Sequence, residues 1–281
     1  VEVIMKKVLL SDIHSNIKAL NLLKKTKYWD NDEYEIWFGG DYIDGFNQRK
    51  NEGLDVLNFV LDAVNNHNSK AILGNHEDFI LQTLKRNIET YKLWKFNGGK
   101  HTLSLSFGIT DTRIDSVIYN LETNFHNICE FIKHLPLTIE DGNVIMVHAG
   151  YDLSKNIKDQ SYYDMLWTRS EYYKYDDCID ESYQNKIIVS GHTPTQLILP
   201  FNNCNIIKDY GTTKSNLIRY YIDGGSKSYN EDYWVNSKIN ALVLGDDGEY
   251  LDSFELWEGG EIIQTNTIKL NKLNKIEREN L

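Results

Sequence analysis

The sequence predicts an α/β protein with mixed sheets, and three observations support this prediction. Short apolar runs rich in β-branched residues recur along the 281-residue chain, and continuous runs of this length are typical of strands buried on both faces. Stretches with apolar residues at helical spacing separate the first of these runs, which is the pattern of strand–helix–strand units with parallel strands. An Asp141-Gly142 pair between two later apolar runs predicts a turn between antiparallel strands.

The N-terminal half is predicted to alternate strands with helices. After the first strand, Asn16 is placed to cap a helix, because its side chain can accept a hydrogen bond from a backbone N–H group at the helix start. The second strand ends at Asp41, and residues 54–64 have helical spacing. The segment Gly74-Asn75-His76-Glu77-Asp78 follows a third strand and opens a helical pattern that starts near Asp78.

The rest of the chain is predicted to hold a helical insertion followed by strands. Residues 87–134 have mostly helical spacing and no motif of a catalytic type, so we expect them to form an insertion that covers the site. From residue 137 the pattern changes to strands, with one helix at residues 162–169. Four later runs predict antiparallel strands that close a second sheet, at residues 217–222, 241–244, 250–256 and 262–267. We expect a single domain over residues 5–270, and a frayed tail over residues 271–281 because that segment has few apolar anchors.

The composition limits the partners and the compartment of the protein. Its formal net charge of −11 at pH 7 argues against general binding to nucleic acids or to anionic membranes. Three widely spaced cysteines, Cys129, Cys178 and Cys204, fit thiols in a reducing cytosol better than a disulfide framework. No apolar stretch approaches the roughly 18 residues that span a bilayer, and the first residues lack a signal-peptide pattern. We therefore expect a cytoplasmic protein without a membrane partner or a stable nucleic-acid partner.

Polar side chains with metal-binding chemistry follow five of the apolar runs, often through glycine. They are Asp12, His14, Asp41, Asn75, His148 and His192. Functional groups in layered α/β proteins collect just past the carboxyl ends of buried strands, so these side chains can converge on one point. Oxygen and imidazole ligands without a thiolate suit Mn, Fe or Zn. Six ligands are too many for one catalytic ion but enough for two ions that share a bridging aspartate.

The same residues lie in blocks that resemble a known family. In chain order the blocks are Asp12-Ile13-His14, Gly40-Asp41-Tyr42-Ile43-Asp44-Gly45, Gly74-Asn75-His76-Glu77, His148-Ala149-Gly150 and Gly191-His192-Thr193-Pro194. This ordered set resembles the calcineurin-like metallophosphoesterase superfamily, and within it the phosphoprotein phosphatase branch and its bacterial and phage relatives. Two more pieces are similar to that branch, namely residues 94–102 with Asn97-Gly98-Gly99, and Ile222-Asp223-Gly224-Gly225. The resemblance runs from about Val8 to Ser226 and implies a two-sheet mixed β-sandwich flanked by helices.

The resemblance implies a division of the six ligands between two divalent ions, for which Mn is the first choice and Fe or Zn remain open. Asp12 and His14 would hold the first ion with Asp41, since residues two apart on an extended segment face the same way. Asp41 would be the bridging carboxylate, and Asn75, His148 and His192 would complete the second ion. Each residue also has a structural explanation when it is taken singly. Asp12 can cap the next helix, His14 can be a solvated loop residue, and His148 or His192 can be a core histidine with satisfied hydrogen bonds.

In the family, a metal-bridging hydroxide attacks phosphorus in line and no phosphoenzyme forms. By resemblance, His76 is a general acid that protonates the leaving oxygen rather than a metal ligand, and Asp44 orients its imidazole. Asp44 has an alternative explanation as an Asx-turn residue before Gly45. Asn75 and His76 are also expected to contact the phosphate of the substrate.

The chain departs from this branch at Gly45, where the phosphatases usually carry an arginine. A guanidinium group is a natural clamp for phosphate oxygens, so the glycine puts the standard protein-phosphatase mode of substrate binding in doubt. Arg169, in Leu166-Trp167-Thr168-Arg169, resembles a second phosphate-binding arginine of bacterial relatives. Arg49 and Arg113 are weaker substitutes, because an exposed arginine without a role explains either equally well.

Three functions are therefore considered. The first is a dinuclear-metal phosphomonoesterase similar to a serine/threonine protein phosphatase, with a phosphorylated protein or small phosphate ester as substrate. The alternative is a nucleotidic phosphohydrolase that uses the same site on a diadenosine polyphosphate, an RNA-terminal phosphate or a phosphodiester. Symmetrical dinucleotide hydrolases tend to lack an aspartate at the position of Asp44, so they rank second. A non-catalytic binding scaffold ranks third, because His76 and all six proposed ligands are present.

Overall fold

Two six-stranded sheets lie face to face in the computed structural model, which describes residues 5–45, 52–173, 179–199, 204–210, 215–227 and 238–270. The strands are β1 (Lys6–Leu10), β2 (Tyr34–Phe38), β3 (Ser69–Ala71), β4 (Thr138–Asp141), β5 (Val144–Val147), β6 (Ile187–Ser190), β7 (Ile207–Tyr210), β8 (Ile218–Tyr221), β9 (Ile239–Leu244), β10 (Tyr250–Leu256), β11 (Ile262–Gln264) and β12 (Ile268–Leu270). The α-helices are α1 (Ile17–Leu20), α2 (Gly53–Asn66), α3 (Asn75–Leu84), α4 (Ile88–Trp94), α5 (Ile114–Asn124), α6 (His126–His134), α7 (Tyr162–Trp167), α8 (Ser170–Tyr173) and α9 (Thr195–Ile198).

The first sheet has the strand order β11-β10-β9-β1-β2-β3, with β1, β2 and β3 parallel and β9 antiparallel to β1. The prediction that the runs at residues 241–244, 250–256 and 262–267 close a second sheet is therefore wrong for β9, β10 and β11, which extend the first sheet. Every residue of β9 is buried, because its side chains alternate between the core that packs against the helices and the core between the two sheets. The apolar pattern predicted these strands, but it carries no information about the sheet edge that they join.

The second sheet has the strand order β12-β7-β8-β6-β5-β4. Strands β4 and β5 form the predicted antiparallel hairpin, and Gly142 in its turn has φ 62°, a conformation that favours glycine. Strands β5, β6 and β8 are parallel, and β7 pairs antiparallel with β8. The expectation for residues 217–222 is confirmed in part, because they contain β8 and β8 belongs to this second sheet.

The main core lies between the sheets and on their outer faces. Leu9 and Trp37 from the first sheet pack with Met146 and Val189 from the second. On the outer face of the first sheet, apolar residues of β1 and β2 pack against helices α2, α3, α5 and α6. Residues of β5 and β6 pack on the other outer face with side chains that include Tyr172 of α8. The predicted two-sheet mixed sandwich flanked by helices is confirmed.

The helices agree with the sequence patterns except at some ends. Asn16 Oδ1 accepts a hydrogen bond from Ala19 N at 3.1 Å, so the predicted cap of α1 is present. Helix α3 begins at Asn75 rather than near Asp78, because Gly74 is extended and the next residue already has helical conformation. Helix α7 ends at Trp167, and Arg169 lies beyond it because Thr168 is extended.

Between residues 87 and 134 the chain forms α4, a kink within Lys95–Gly99 where Gly98 has φ 113°, a π-helical turn at Thr102–Ser106, and then α5 and α6. Cys129 and Cys204 are both buried. Cys178, Arg49 and the tail at residues 271–281 lie outside the described residues. Among the described residues, none of the helices has the length and apolar character needed to cross a membrane.

Candidate metal centre and active site

The site forms at turns that follow the strands and have left-handed backbone conformation. Asp12, His14, Asp41, Asp44 and His192 have φ values of 54°, 45°, 56°, 64° and 64°. This conformation costs a non-glycine residue about 1–2 kcal/mol, and such strained residues concentrate at functional sites. Asp12 and His14 therefore do not face one way through strand alternation, as the sequence suggested. They meet because the chain turns after β1 ends at Leu10, which brings Asp12 Oδ1 to 3.9 Å from His14 Nε2.

Asp41 lies at the centre of the cluster. Its Oδ2 is 3.5 Å from His14 Nε2, and its Oδ1 is 3.4 Å from His148 Nε2. Its Oδ1 also accepts a hydrogen bond from the backbone N–H of His76 at 3.0 Å. Two groups of potential ligands share this aspartate: Asp41 with His14 and His76, and Asp41 with His148 and His192. A carboxylate common to two groups is in the right place to bridge two ions.

Backbone carbonyls orient two of the imidazoles toward Asp41. The carbonyl oxygen of Ile43 lies 2.9 Å from His14 Nδ1, and that of Gly39 lies 2.9 Å from His148 Nδ1. Because a carbonyl oxygen only accepts hydrogen bonds, each Nδ1 carries a proton and donates it. The Nε2 lone pairs then face Asp41, which is the arrangement that metal-binding histidines require.

The donor set fits divalent cations. Asn75 Oδ1 lies 2.9 Å from His148 Nε2, so two acceptor atoms face each other, and a cation at this point would satisfy both. His192 Nε2 is buried and has no hydrogen-bond partner among the described residues. Burial lowers the pKa of His14 and of His192 well below the usual range, so both imidazoles are neutral at pH 7 and able to bind a metal.

Two more buried carboxylates, those of Asp12 and Asp223, add negative charge near Asp41. Both oxygens of Asp12 accept from the backbone N–H of His192 at 3.0 Å. Burial raises the pKa of Asp12, and the charge of Asp41 adds to the effect. Burial also raises the pKa of Asp223 well above its usual range, with a contribution from Asp12. Crowded carboxylates of this kind are stabilised by bound cations, because each ion offsets the repulsion between them.

His76 and Asp44 form a closely packed pair beside the cluster. His76 Nδ1 lies 2.6 Å from Asp44 Oδ2. The indole Nε1 of Trp94 donates to the same oxygen at 2.8 Å, and Thr102 Oγ1 donates to Asp44 Oδ1 at 2.5 Å. Trp94 and Thr102 come from the predicted insertion, and so does Gly98, where a Cβ would lie 2.9 Å from the Asp44 side chain. The insertion therefore builds part of the site instead of only covering it.

Glu77 is a structural member of the site that the sequence did not single out. Its carboxylate accepts from the backbone N–H groups of Asp41 and Tyr42, each at 2.8 Å, and of Ile43 at 3.3 Å. Burial raises the pKa of Glu77 to about 8, and Asp41 contributes to this rise. Gly74 leaves room for this contact, because a Cβ there would lie 2.2 Å from Asp41 N. The signal in the sequence was the place of Glu77 in the block Gly74-Asn75-His76-Glu77, where no role was predicted for it.

The predicted phosphate-binding arginine lies at the edge of the cluster. Arg169 Nη1 donates to the carbonyl oxygen of His192 at 2.9 Å and to Thr193 Oγ1 at 3.1 Å. Arg113 instead pairs with Asp111 at 2.6 Å and is exposed. This agrees with the alternative that Arg113 is an exposed arginine without a role in the site. The structure thus brings the six predicted ligands, His76, Asp44 and Arg169 into one region.

Lys227 is a second residue that sequence reasoning missed. Its Nζ lies 2.5 Å from His76 Nε2. Burial lowers the pKa of Lys227; Arg169 adds to this effect, and the carboxylates of Asp41 and Asp44 oppose it. The signal was a basic residue one position beyond Ser226, where the family resemblance ended.

Comparison with known proteins agrees with this arrangement. The model of the Calcineurin-like phosphoesterase family matches residues 5–250. The chain belongs to this family. Membership supports a metal-dependent phosphoester hydrolase, and the buried cluster of histidine and aspartate fits a dinuclear site for divalent ions.

Two curated relatives of the chain are symmetrical bis(5'-nucleosyl)-tetraphosphatases from Actinobacillus pleuropneumoniae, serotype 5b strain L20 and serotype 7 strain AP76. Each is 35% identical over 80 residues, which cover 28% of this chain and 27% of the relative. The match therefore spans only about a quarter of those proteins.

Solved structures share the fold over most of the chain. A putative diadenosine tetraphosphatase aligns with 95% of this chain and 96% of its own, at a TM-score of 0.52 and 15% identity. A metallophosphoesterase from Sphaerobacter thermophilus aligns with 94% of this chain and 90% of its own, at a TM-score of 0.50 and 13% identity. A serine/threonine phosphatase from Saccharomyces cerevisiae aligns with 98% of this chain and 84% of its own, at a TM-score of 0.50 and 13% identity. That phosphatase has similarity to human phosphatase PP5. At these identities the similarity is one of fold.

Proposed function

We propose that this phosphoesterase is a dinuclear-metal phosphomonoesterase of the serine/threonine protein phosphatase type, with His76 as general acid. The observation that carries the proposal is the His76–Asp44 pair. His76 Nδ1 lies 2.6 Å from Asp44 Oδ2, and His76 Nε2 lies 3.9 Å from the central Asp41. Serine and threonine side chains leave phosphorus as alkoxides, which are strong bases, so their departure needs a proton from a neighbouring acid.

The residues that would hold the two ions are those that surround Asp41. Asp12, His14 and Asp41 would hold one ion, while Asn75, His148 and His192 would hold the other with Asp41 as a shared ligand. When bound, the ions would supply an activated water and offset the negative charge of the phosphoryl oxygens. Two observations support this assignment. The imidazoles of His14 and His192 are neutral, and His192 Nε2 has no hydrogen-bond partner among the described residues. Mn is the first ion to test, with Fe and Zn as the other candidates.

The chain's own side chains would bind the substrate and move the proton. Arg169, which is fixed through His192 O and Thr193, would bind a phosphoryl oxygen. Asn75 and His76 begin helix α3 and would contact the phosphoryl group from the side of the cluster. His76 would donate a proton from Nε2 to the leaving oxygen, and the buried Asp44 would stabilise the imidazolium through Nδ1.

A panel of substrates tests this proposal. With manganese added, we expect a higher kcat/KM for a phosphothreonine peptide than for diadenosine tetraphosphate or a phosphodiester, all measured on one preparation. A preference for either nucleotide-like substrate would contradict the protein-phosphatase assignment. Absence of turnover on all three, with metals shown to be bound, would favour a binding scaffold instead.

A second candidate is the hydrolysis of a symmetrical dinucleotide, and the 35% identity over 80 residues with tetraphosphatases favours it. The two candidates differ in the basicity of the leaving group. A nucleotide leaves from a phosphoanhydride as a stabilised anion, which needs little help from an acid, whereas an alkoxide needs a proton. The monoesterase therefore ranks first, because His76 is hydrogen-bonded to an Asp44 carboxylate that Trp94 and Thr102 also hold in place.

Replacing His76 should affect substrates differently, according to whether their leaving group needs a proton. We expect His76→Asn to lower kcat on a phosphothreonine peptide by about 10²- to 10⁴-fold, and to affect p-nitrophenyl phosphate far less, because nitrophenolate leaves without a proton. Both metals should stay bound, as measured by elemental analysis. His76 also lies in a potential ligand group with His14 and Asp41, so loss of one metal in the variant would mean that His76 is a ligand.

A further inference from the structure

Lys227 reaches the active site from a segment that buried contacts hold in place. Ser226 Oγ donates to the carbonyl oxygen of Ile13 at 2.9 Å. Asn16 Nδ2 donates to Ser226 Oγ at 3.3 Å, and both of these side chains are fully buried. The contacts join the segment after β8 to the loop after β1. The scaffold therefore places Lys227 beside His76.

The ammonium of Lys227 faces the imidazole nitrogen that is proposed to protonate the leaving oxygen. Lys227 Nζ lies 2.5 Å from His76 Nε2, and an ammonium can only donate a hydrogen bond. On the other side of the ring, His76 Nδ1 donates to the Asp44 carboxylate at 2.6 Å. In this arrangement the imidazole carries its proton on Nδ1, and the lone pair on Nε2 accepts from Lys227.

Two basic side chains reach the cluster from different sides. Arg169 contacts the backbone of His192, and Lys227 contacts His76. Gly45 follows Asp44 and brings no side chain to the site. A lysine ammonium is a compact point charge that binds phosphate well, although without the bidentate geometry of arginine.

We propose that Lys227 binds the phosphoryl group of the substrate and supplies the positive charge that Gly45 does not. This inference rests on the proposed phosphoesterase function. Charged phosphoryl oxygens are stronger acceptors than a neutral imidazole, so a bound phosphoryl group draws the ammonium away from His76 Nε2.

Inorganic phosphate is the probe that tests the inference without an organic leaving group. Its dissociation constant is measured by calorimetry on the full chain loaded with manganese, with metal content checked by elemental analysis. The variants are Lys227→Met, which removes the charge at similar length, and Lys227→Arg, which keeps the charge. Lys25→Met is the matched control, because Lys25 is an exposed lysine of the Asn21–Lys25 turn.

We expect Lys227→Met to weaken phosphate binding by about tenfold or more, as for loss of a hydrogen bond between charged groups. Lys227→Arg should recover most of the affinity, and Lys25→Met should match the wild type. A wild-type dissociation constant in Lys227→Met, with both metals bound, would overturn the inference. Loss of metal in a folded Lys227→Met protein would overturn it too, since Lys227 would then support the metal centre.

A crystal structure of the wild type with phosphate bound gives a second test that does not depend on the folding of any variant. We expect Lys227 Nζ to lie within hydrogen-bond distance of a phosphate oxygen and to have left His76 Nε2. An ammonium still on Nε2 with phosphate in the site would refute the inference. The substrate panel can fail while phosphate binding behaves as expected, so the two proposals are judged separately.

Discussion

Replacing Asp44 by asparagine removes the negative charge behind His76 while leaving side-chain size unchanged. Asp44 Oδ2 accepts from His76 Nδ1 at 2.6 Å and from Trp94 Nε1 at 2.8 Å, and Oδ1 accepts from Thr102 Oγ1 at 2.5 Å. In Asp44→Asn, the amide oxygen can keep the contacts with His76 and Trp94. The amide NH₂ then faces the Thr102 hydroxyl, which can accept as well as donate. The contact with Thr102 is then reversed rather than lost, so each of the three partners keeps a hydrogen bond to residue 44 and the fold should be retained.

The expected loss of rate follows from the lost charge. A hydrogen bond to a charged group contributes about 1.5–3 kcal/mol, compared with about 0.5–1.5 kcal/mol for a neutral pair. The difference, of about 1–1.5 kcal/mol, corresponds to a loss of about tenfold. The full Coulomb attraction between an imidazolium and a carboxylate about 4 Å apart is about 4 kcal/mol at an effective dielectric constant of 20, or nearly a thousandfold in rate. We therefore expect kcat on a phosphothreonine peptide to fall by about tenfold to a thousandfold.

The assay compares that peptide with p-nitrophenyl phosphate, whose leaving group needs no proton and whose kcat should change little. Asp78→Asn is the matched control, because Asp78 is a buried aspartate of helix α3, the helix of His76, and its carboxylate accepts from the Tyr162 hydroxyl at 2.7 Å instead of from His76. Its kcat should equal that of the wild type on both substrates. Equal losses on both substrates in Asp44→Asn, with metal content and melting temperature unchanged, would refute the acid role of His76 and its stabilisation by Asp44.

Three further predictions concern the metal site, a thiol and a buried ion pair. Gly191→Ala would place a Cβ 1.9 Å from Asp12 Oδ2, so we expect metal content measured by elemental analysis to fall. Burial raises the pKa of Cys129 to about 11, so very little thiolate forms at pH 8, and iodoacetamide should label Cys129 only after unfolding, as read by peptide mass spectrometry. Arg219→Met leaves the buried Asp209 without the guanidinium that lies 2.5 Å away, and should lower the free energy of unfolding by about 3–5 kcal/mol in denaturant titrations.

Each of these predictions has a result that would contradict it. Gly142→Ala is the control for Gly191, because its Cβ would meet no atom within 4 Å and only the turn is strained, so metal content should not change. Normal metal content in Gly191→Ala would mean that Asp12 is not needed for binding. Labelling of Cys129 in the folded protein at pH 8 would mean that the thiol is accessible. A loss of stability below about 1 kcal/mol in Arg219→Met would mean that the ion pair is not desolvated as the structure indicates.

The strand-end pattern predicted that most of the candidate site residues would lie close together, because that pattern is local in the sequence. Asp41, His148 and His192 each follow a short apolar run, and the turn after that run brings them to one edge of the sandwich. What the sequence missed depends on contacts between distant segments. The indole of Trp94 reaches Asp44 across 50 positions of sequence, and Lys227 reaches His76 across 151. Residue types and their spacing do not indicate which distant residues contact each other.

The sheet that a strand joins is the other property that the sequence did not predict. The pattern of β9 indicates a buried strand, and burial on both faces is possible in the middle of either sheet. Its place beside β1 is decided by the pairing of the two backbones over four residue pairs, from Lys7 with Leu244 to Leu10 with Ala241. The same limit applies to Asp12 and His14, whose meeting depends on left-handed turns that spacing does not indicate.

The chain passes back and forth between the two sheets. It builds β1 to β3 in the first sheet and β4 to β8 in the second, returns to the first for β9 to β11, and ends with β12 in the second. Neither sheet is therefore encoded by one continuous stretch, and no single cut in a loop divides the molecule into two self-sufficient halves. A protease-nicked chain is expected to keep its two fragments associated and to melt in a single transition.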